Sequence, residues 1–137
     1  MKKSARNIIA AAIAVAAIGY IAAQQAAHSP ATISVQETLE TLQKDSSVVL
    51  LDVRTPQEHL GERIKNSPLI PVQELENRAG ELLKYKNQKI IVYCRSGHRS
   101  GIATEILVKK GFNAVSMAGG ILRWKSEQYP TITGPIQ

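Results

Sequence analysis

The stretch Lys89-Ile90-Ile91-Val92-Tyr93-Cys94-Arg95-Ser96-Gly97-His98-Arg99-Ser100 decides how the chain is read. Ile90 to Tyr93 favour a strand and run directly into Cys94, the only cysteine in the chain. A short polar loop follows. From about Arg99, Ile102, Ala103, Ile106 and Leu107 recur at helix spacing. A strand, a cysteine-bearing loop and a helix in that order have a chemical consequence. Amides of the loop and of the first helical turn lack intrahelical acceptors, so they point back toward the sulfur. Arg95 and Arg99 add fixed positive charge, with His98 a third candidate. Such donors and cations lower a thiol pKa and keep a thiolate ionised, and the loop amides make a concave anion site. Cys94 therefore reads as a nucleophile presented to solvent. The competing reading is a small core hydrophobe at the end of a buried strand. Against it, the next six residues include two Arg, one His and one Gly, poor core material, and Gly97 suggests an unusual backbone conformation.

The chain has 137 residues, and its first thirty are not globular in composition. That leaves room for one domain of about 100 residues. Lys and Arg number 17 against 11 Asp and Glu, a net charge of +6. Lys2, Lys3 and Arg6 lie in the acid-free N-terminal segment, leaving 14 against 11 and no long basic run. Nucleic-acid binding needs a clustered basic face with aromatics, and aromatics are 4% here. A mildly basic surface suits small anionic substrates. One cysteine excludes an intramolecular disulfide and any multi-cysteine metal site.

Residues 1–30 have the plan of an export signal. A positive Met1–Arg6 region precedes 16 uninterrupted apolar residues, Ile8 to Ala23, and Gln24 to Pro30 turns polar. Small-x-small triplets such as Ala14-Val15-Ala16 lie inside the apolar run, so a cleaved signal peptide and an uncleaved membrane anchor both stand. The positive flank keeps the N-terminus in the cytoplasm in either case. The expected domain, residues 31–137, is periplasmic or tethered to the membrane facing the periplasm, touching membrane only through this segment.

Along that domain, Thr32-Ile33 reads as a short edge strand and Ser34-x-x-Glu37 as a capping box opening a helix to about Lys44. Val48 to Val53 is a continuous apolar run interrupted only by Asp52, as in a strand buried on both faces. Thr55-Pro56-x-Glu58 opens a second, short helix, and Pro68 to Pro71 is extended. Glu74 to about Tyr85 reads as a helix with Leu75, Leu82 and Leu83 apolar and Gly80 a break point. Asn113 to Met117 is a final strand, Gly119-Gly120 a turn, and Ile121 to Ser126 a terminal helix carrying Trp124. Alternating strands and helices predict an α/β fold, a small and mainly parallel sheet flanked by helices. Ligands of such sheets bind beyond the carboxyl ends of the strands. Cys94 lies at such an end, and Asp52-Val53-Arg54 reaches the same rim.

These residues resemble the rhodanese family of sulfurtransferases over roughly Ile33 to Ile132. Leu51-Asp52-Val53-Arg54 with Pro56 and Glu58 is similar to the family's first motif, and Ile64 through Ile70-Pro71 to its next loop. Val92 to Arg99 is similar to its six-residue active loop, and Gly119-Gly120 with Trp124 to its closing motif. The resemblance implies a rhodanese-like fold and a ping-pong reaction with Cys94 as the catalytic residue. The amides of Arg95, Ser96, Gly97, His98 and Arg99 would then cradle a persulfide, while Arg95 or Arg99 holds the anion. It also implies a small anionic sulfur donor such as thiosulfate and a cyanide or thiol acceptor. No metal or organic cofactor is expected, and a monomer is. Family members often carry Gly-His-Ile where this chain has Glu62-Arg63-Ile64, and Gly-Ala where it has Asn66-Ser67. Arg63 puts a local packing or hydrogen-bond role in question, and Asn66 tolerates a left-handed backbone.

Asp52 and Arg54 read as a buried ion pair supporting the loop. His28 and His59 are expected at the surface without partners, Trp124 in the core or pocket wall, and Arg123 and Lys125 on a solvated face. Two other functions compete. Cys-dependent phosphatases or arsenate reductases need Cys-x5-Arg, where this chain has Ser100, with Arg99 falling at Cys-x4-Arg. A persulfide carrier or docking module with little turnover would need the same activated Cys94.

Overall fold

The computed structural model describes residues 29–135. The expected leader and its possible cleavage points, along with His28, lie outside the described residues. No helix among those described is long and apolar enough to cross a membrane. In chain order the elements are β1 (Thr32–Ile33), α1 (Val35–Lys44), β2 (Val49–Asp52), α2 (Pro56–Gly61) and α3 (Val72–Arg78). A 3-10 turn (Ala79–Tyr85), β3 (Lys89–Tyr93), α4 (His98–Lys109), β4 (Asn113–Met117) and α5 (Gly120–Ser126) complete it.

Both capping boxes form. The Ser34 hydroxyl accepts the Glu37 amide at 3.1 Å while the Glu37 carboxylate takes the Ser34 amide at 3.0 Å. Thr55 and Glu58 reciprocate in the same way at 3.2 and 3.0 Å, with Pro56 opening α2. These side chains satisfy amides that a helix start leaves without partners.

The four strands are parallel in the order β1-β4-β3-β2. Asp52 lies opposite Tyr93 and Val92 opposite Ser116, so three strands present their carboxyl ends at one rim. Side chains alternate across the sheet because the strand repeat is two residues. Leu51, Ile90, Val92 and Cys94 face Leu75, Leu82, Ala103 and Leu107, while Leu50, Ile91, Tyr93 and Met117 face Val35, Ile121 and Trp124. Each fully buried Leu or Ile contributes about 1.5–3 kcal/mol.

One helix differs from expectation. The segment read as a helix from Glu74 to Tyr85 starts at Val72 and tightens into a 3-10 turn at Ala79. Three residues per turn put Ala79, Leu82 and Tyr85 on one face. Ala79 and Leu82 are buried there, and Leu83 turns outward, 61% exposed.

Candidate active site

Cys94 follows β3 directly, and the loop after it is held from outside. The carbonyls of Cys94 and Arg95 accept the amides of Ile121 and Leu122 at 2.9 and 3.1 Å. Gly97, at φ +110°, turns the chain into α4. An L side chain rarely adopts that angle, which is why glycine stands there. The turn delivers the Gly97 amide to Cys94 Sγ at 3.0 Å. The Ser100 side chain, in the first turn of α4, places its hydroxyl 3.5 Å from the same sulfur.

Cys94 is only 1% exposed, so the expectation of a thiol presented to solvent is corrected. The sulfur lies on the floor of the loop, with its apolar side continuous with the Ala103 and Leu107 cluster. Burial is the strongest single influence on its acidity and opposes ionisation. The Ser100 hydroxyl and the amides of Ser100, Gly97 and Ser96 together outweigh it, so the thiol sits below its ordinary pKa.

The loop cations divide. Arg99 donates both terminal nitrogens to the Glu58 carboxylate at 2.8 Å each. Those hydrogen bonds hold the Glu58 carboxyl down at about 2 against a partial desolvation. Arg99 therefore joins α4 to α2 and carries a neutralised charge. Arg95, Ser96 and His98 are exposed, and Arg95 makes no ion pair among the described residues. Arg95 borders a cleft of about 400 Å³ between α2 and α5, walled also by Gln57, Leu122 and Lys125. A larger cavity of about 590 Å³, against Arg63, Lys65 and Ile132, has no residue of the Cys94 loop in its wall.

Beneath the rim Asp52 and Arg54 form a buried bidentate pair, Nε to Oδ1 at 3.0 Å and Nη2 to Oδ2 at 2.7 Å. Arg54 Nη2 also donates to the Glu62 carbonyl, and its guanidinium lies 5.3 Å from the Tyr93 ring centre. The Tyr93 hydroxyl accepts the Ile64 amide and meets the Ser67 hydroxyl at 2.9 Å.

His59 overturns its expectation. It is 3% exposed, with Nδ1 2.8 Å from Asp52 Oδ2. A buried carboxylate has more lone pairs than one guanidinium fills, and the imidazole supplies a further donor. α2 turns His59 inward and Leu60 outward, the reverse of their hydropathy. Arg63 is also buried; it donates to the Gly134 carbonyl at 2.6 Å and pairs its backbone with Ile132, clasping the C-terminal segment. Trp124 is buried and donates to the Pro130 carbonyl. Arg123 and Lys125 are exposed on α5 as expected, and they pair there with Glu127 and Glu62.

The sequence alone gives Ser100 no role beyond its place in the spacing, and gives Glu58 a helix cap and a place in the first motif but no partner in the active loop. The signal for Ser100 was its place six residues after Cys94, on the first helical turn. Glu58 gave no sign of its second partner, because Arg99 lies 41 residues further on.

Comparison with known proteins bears on this geometry. Residues 35–127 match the rhodanese-like domain family. Thiosulfate sulfurtransferase PspE of Escherichia coli is 37% identical over 71 residues, covering 52% of this chain and 68% of the relative. A sulfurtransferase of Allochromatium vinosum is 30% identical over 101 residues, covering 73% and 92%. An uncharacterized Synechocystis protein, slr1261, is 33% identical over 97 residues, which are 70% of this chain but only 53% of the relative's length. The crystal structure of a rhodanese-related protein from Thermoplasma volcanium superposes with a TM-score of 0.68 at 34% identity, covering 74% of this chain and 97% of that one. With a six-residue amide loop closed around one activated cysteine at the rim of a parallel sheet, the chain belongs to the rhodanese-like family of sulfurtransferases.

Proposed function

We propose that the protein moves a sulfane sulfur from a small anionic donor such as thiosulfate to a thiophilic acceptor, through a Cys94 persulfide. The observation that carries this reading is the Gly97 amide 3.0 Å from Sγ, in a loop whose arginine falls at Cys-x4-Arg, one residue short of the Cys-x5-Arg spacing that encloses a tetrahedral oxyanion. The Cys94 thiolate attacks the outer sulfur of thiosulfate. A new S–S bond forms, the old one breaks, and sulfite leaves with its electron pair. The terminal sulfur of the persulfide then carries the negative charge, and the loop whose Ser96, Gly97 and Ser100 amides surround Cys94 Sγ supplies the donors to stabilise it. An acceptor, cyanide in the assay or a thiol in the cell, attacks that sulfur and returns Cys94 as thiolate. Arg95, the loop arginine without a carboxylate partner among the described residues, attracts the anionic donor. Asp52 and Arg54 support the end of β3, where the Arg54 guanidinium lies against the Tyr93 ring next to Cys94. No step calls for a metal or organic cofactor.

The phosphatase reading loses its anion-holding arginine, since Arg99 is engaged with Glu58 and Ser100 stands where the arginine is needed. The N-terminal segment supports action on the periplasmic side of a membrane. Fractionation of cells should place the full-length or processed chain outside the cytosol; a wholly cytosolic pool refutes that part.

The catalytic test is intact-mass spectrometry after thiosulfate treatment. Wild type should gain one sulfur atom and lose it to cyanide with release of thiocyanate, and Cys94→Ser should do neither. Stoichiometric persulfide without turnover would favour a carrier. No added sulfur with any donor refutes the proposal.

A further inference from the structure

Two serines of distant sequence meet beneath the active loop. Ser116 lies on β4, 2% exposed, and its hydroxyl oxygen is 2.8 Å from that of Ser100. Ser100 Oγ in turn lies 3.1 Å from the Gly97 carbonyl and 3.5 Å from Cys94 Sγ. Each hydroxyl has one proton and can accept two. The Ser116 hydroxyl has no other partner among the described residues, so its buried proton goes to Ser100 Oγ. Ser100 is thereby made an acceptor on its Ser116 side. Its own proton is left two destinations, the Gly97 carbonyl and Cys94 Sγ, and both belong to the loop.

We propose that Ser116 is a positioning residue for sulfur activation: its hydroxyl orients Ser100 so that the Ser100 proton is delivered to the Cys94 sulfur. With the thiol protonated, the Cys94 S–H points at Ser100 Oγ and Ser100 donates to the Gly97 carbonyl. When the thiol ionises and releases its proton to solvent, the Ser100 hydroxyl keeps its own proton and turns to donate a hydrogen bond to the thiolate beside the Gly97 amide. The bond from Ser116 keeps its direction in both states. A hydroxyl that already accepts one hydrogen bond donates a stronger one. Ser116 therefore favours the thiolate without touching it. The charged and titratable groups around the loop, Arg95, His98, the Arg99–Glu58 pair and the Asp52–Arg54 pair with His59, form no hydrogen bond with Ser116 and are common to all variants.

This inference rests on Cys94 being the activated nucleophile, and its test reads ionisation, not sulfur transfer, so the two can fail separately. The rate of iodoacetamide alkylation of the single cysteine is measured against pH. Ser100→Ala should raise the ionisation midpoint by about one pH unit. Ser116→Ala should raise it by about half a unit, slowing alkylation about threefold below the midpoint. Ser116→Thr, which keeps the hydroxyl, should restore the wild-type midpoint. The double variant should match Ser100→Ala alone, because Ser116 acts through Ser100. An unmoved midpoint in Ser116→Ala, or additive shifts in the double variant, overturns the proposal. Should Ser116→Ala not fold, proton NMR of the wild type decides: the Ser116 hydroxyl proton should exchange slowly above and below the midpoint, and rapid exchange overturns the assignment.

Discussion

Gly120→Ala offers the sharpest test of how the loop is held. Gly120 sits at φ +58°, and a Cβ there would lie 2.4 Å from the Arg95 carbonyl oxygen and 2.5 Å from that of Cys94. All the atoms met are backbone, so no side chain can swing aside. Reaching ordinary contact requires α5 or the loop to move by about 1 Å. That movement stretches the bonds from Ile121 and Leu122 to the two carbonyls, each contributing about 0.5–1.5 kcal/mol. The left-handed angle adds about 1–2 kcal/mol. The expected loss is about 2–5 kcal/mol, measured by urea unfolding, with alkylation of Cys94 reporting the displaced donors. Gly134→Ala is the control. Its φ is +87° with nothing within 4 Å, so it should show the conformational penalty while Cys94 alkylates as in wild type. Should Gly120→Ala match wild type in both urea midpoint and alkylation rate, the account of the loop is wrong.

Other expectations follow from the charges and caps. The Glu58 carboxyl lies at about 2 in the folded protein against an ordinary 4.5, so its stabilisation is present above 4.5 and disappears as pH falls toward 2. Discounted for partial exposure, the stability gap between wild type and Glu58→Gln should be about 1–2 kcal/mol at neutral pH and close under acid, as read by urea titration. Asp52→Asn strands the buried Arg54 cation and should destabilise by about 3–5 kcal/mol, whereas breaking the exposed Arg78–Glu81 pair with Arg78→Ala should leave the urea midpoint at the wild-type value. Gly61→Ala, with an ordinary φ and open space for its Cβ, should raise stability by about 0.5–1 kcal/mol in the same assay.

Much of the fold was legible because its signals are local. The apolar run around Val49 to Asp52, both capping boxes and the Cys94 loop each announce themselves within a few residues. What escaped was set by contacts across the chain. His59 reads as a surface residue until Asp52, seven positions earlier, is seen to need another donor. The burial of Cys94 and the Ser100–Ser116 contact depend on the register of β3 against β4 and on how closely α4 packs over them. Glu58 was visible as a helix cap, but its grip on Arg99 spans two helices that no local pattern connects.

The two amides that α5 gives to the Cys94 and Arg95 carbonyls reach further than their own bonds. A trans peptide is a rigid plate whose oxygen and hydrogen point in opposite directions. Pinning the oxygen of the Arg95–Ser96 plate outward commits the Ser96 hydrogen to the opposite side, where the sulfur lies. The last helix, with no donor of its own on the thiol, thus sets the polarity of the pocket from behind. A substitution in that helix can disarm the sulfur without altering the identity of any loop residue.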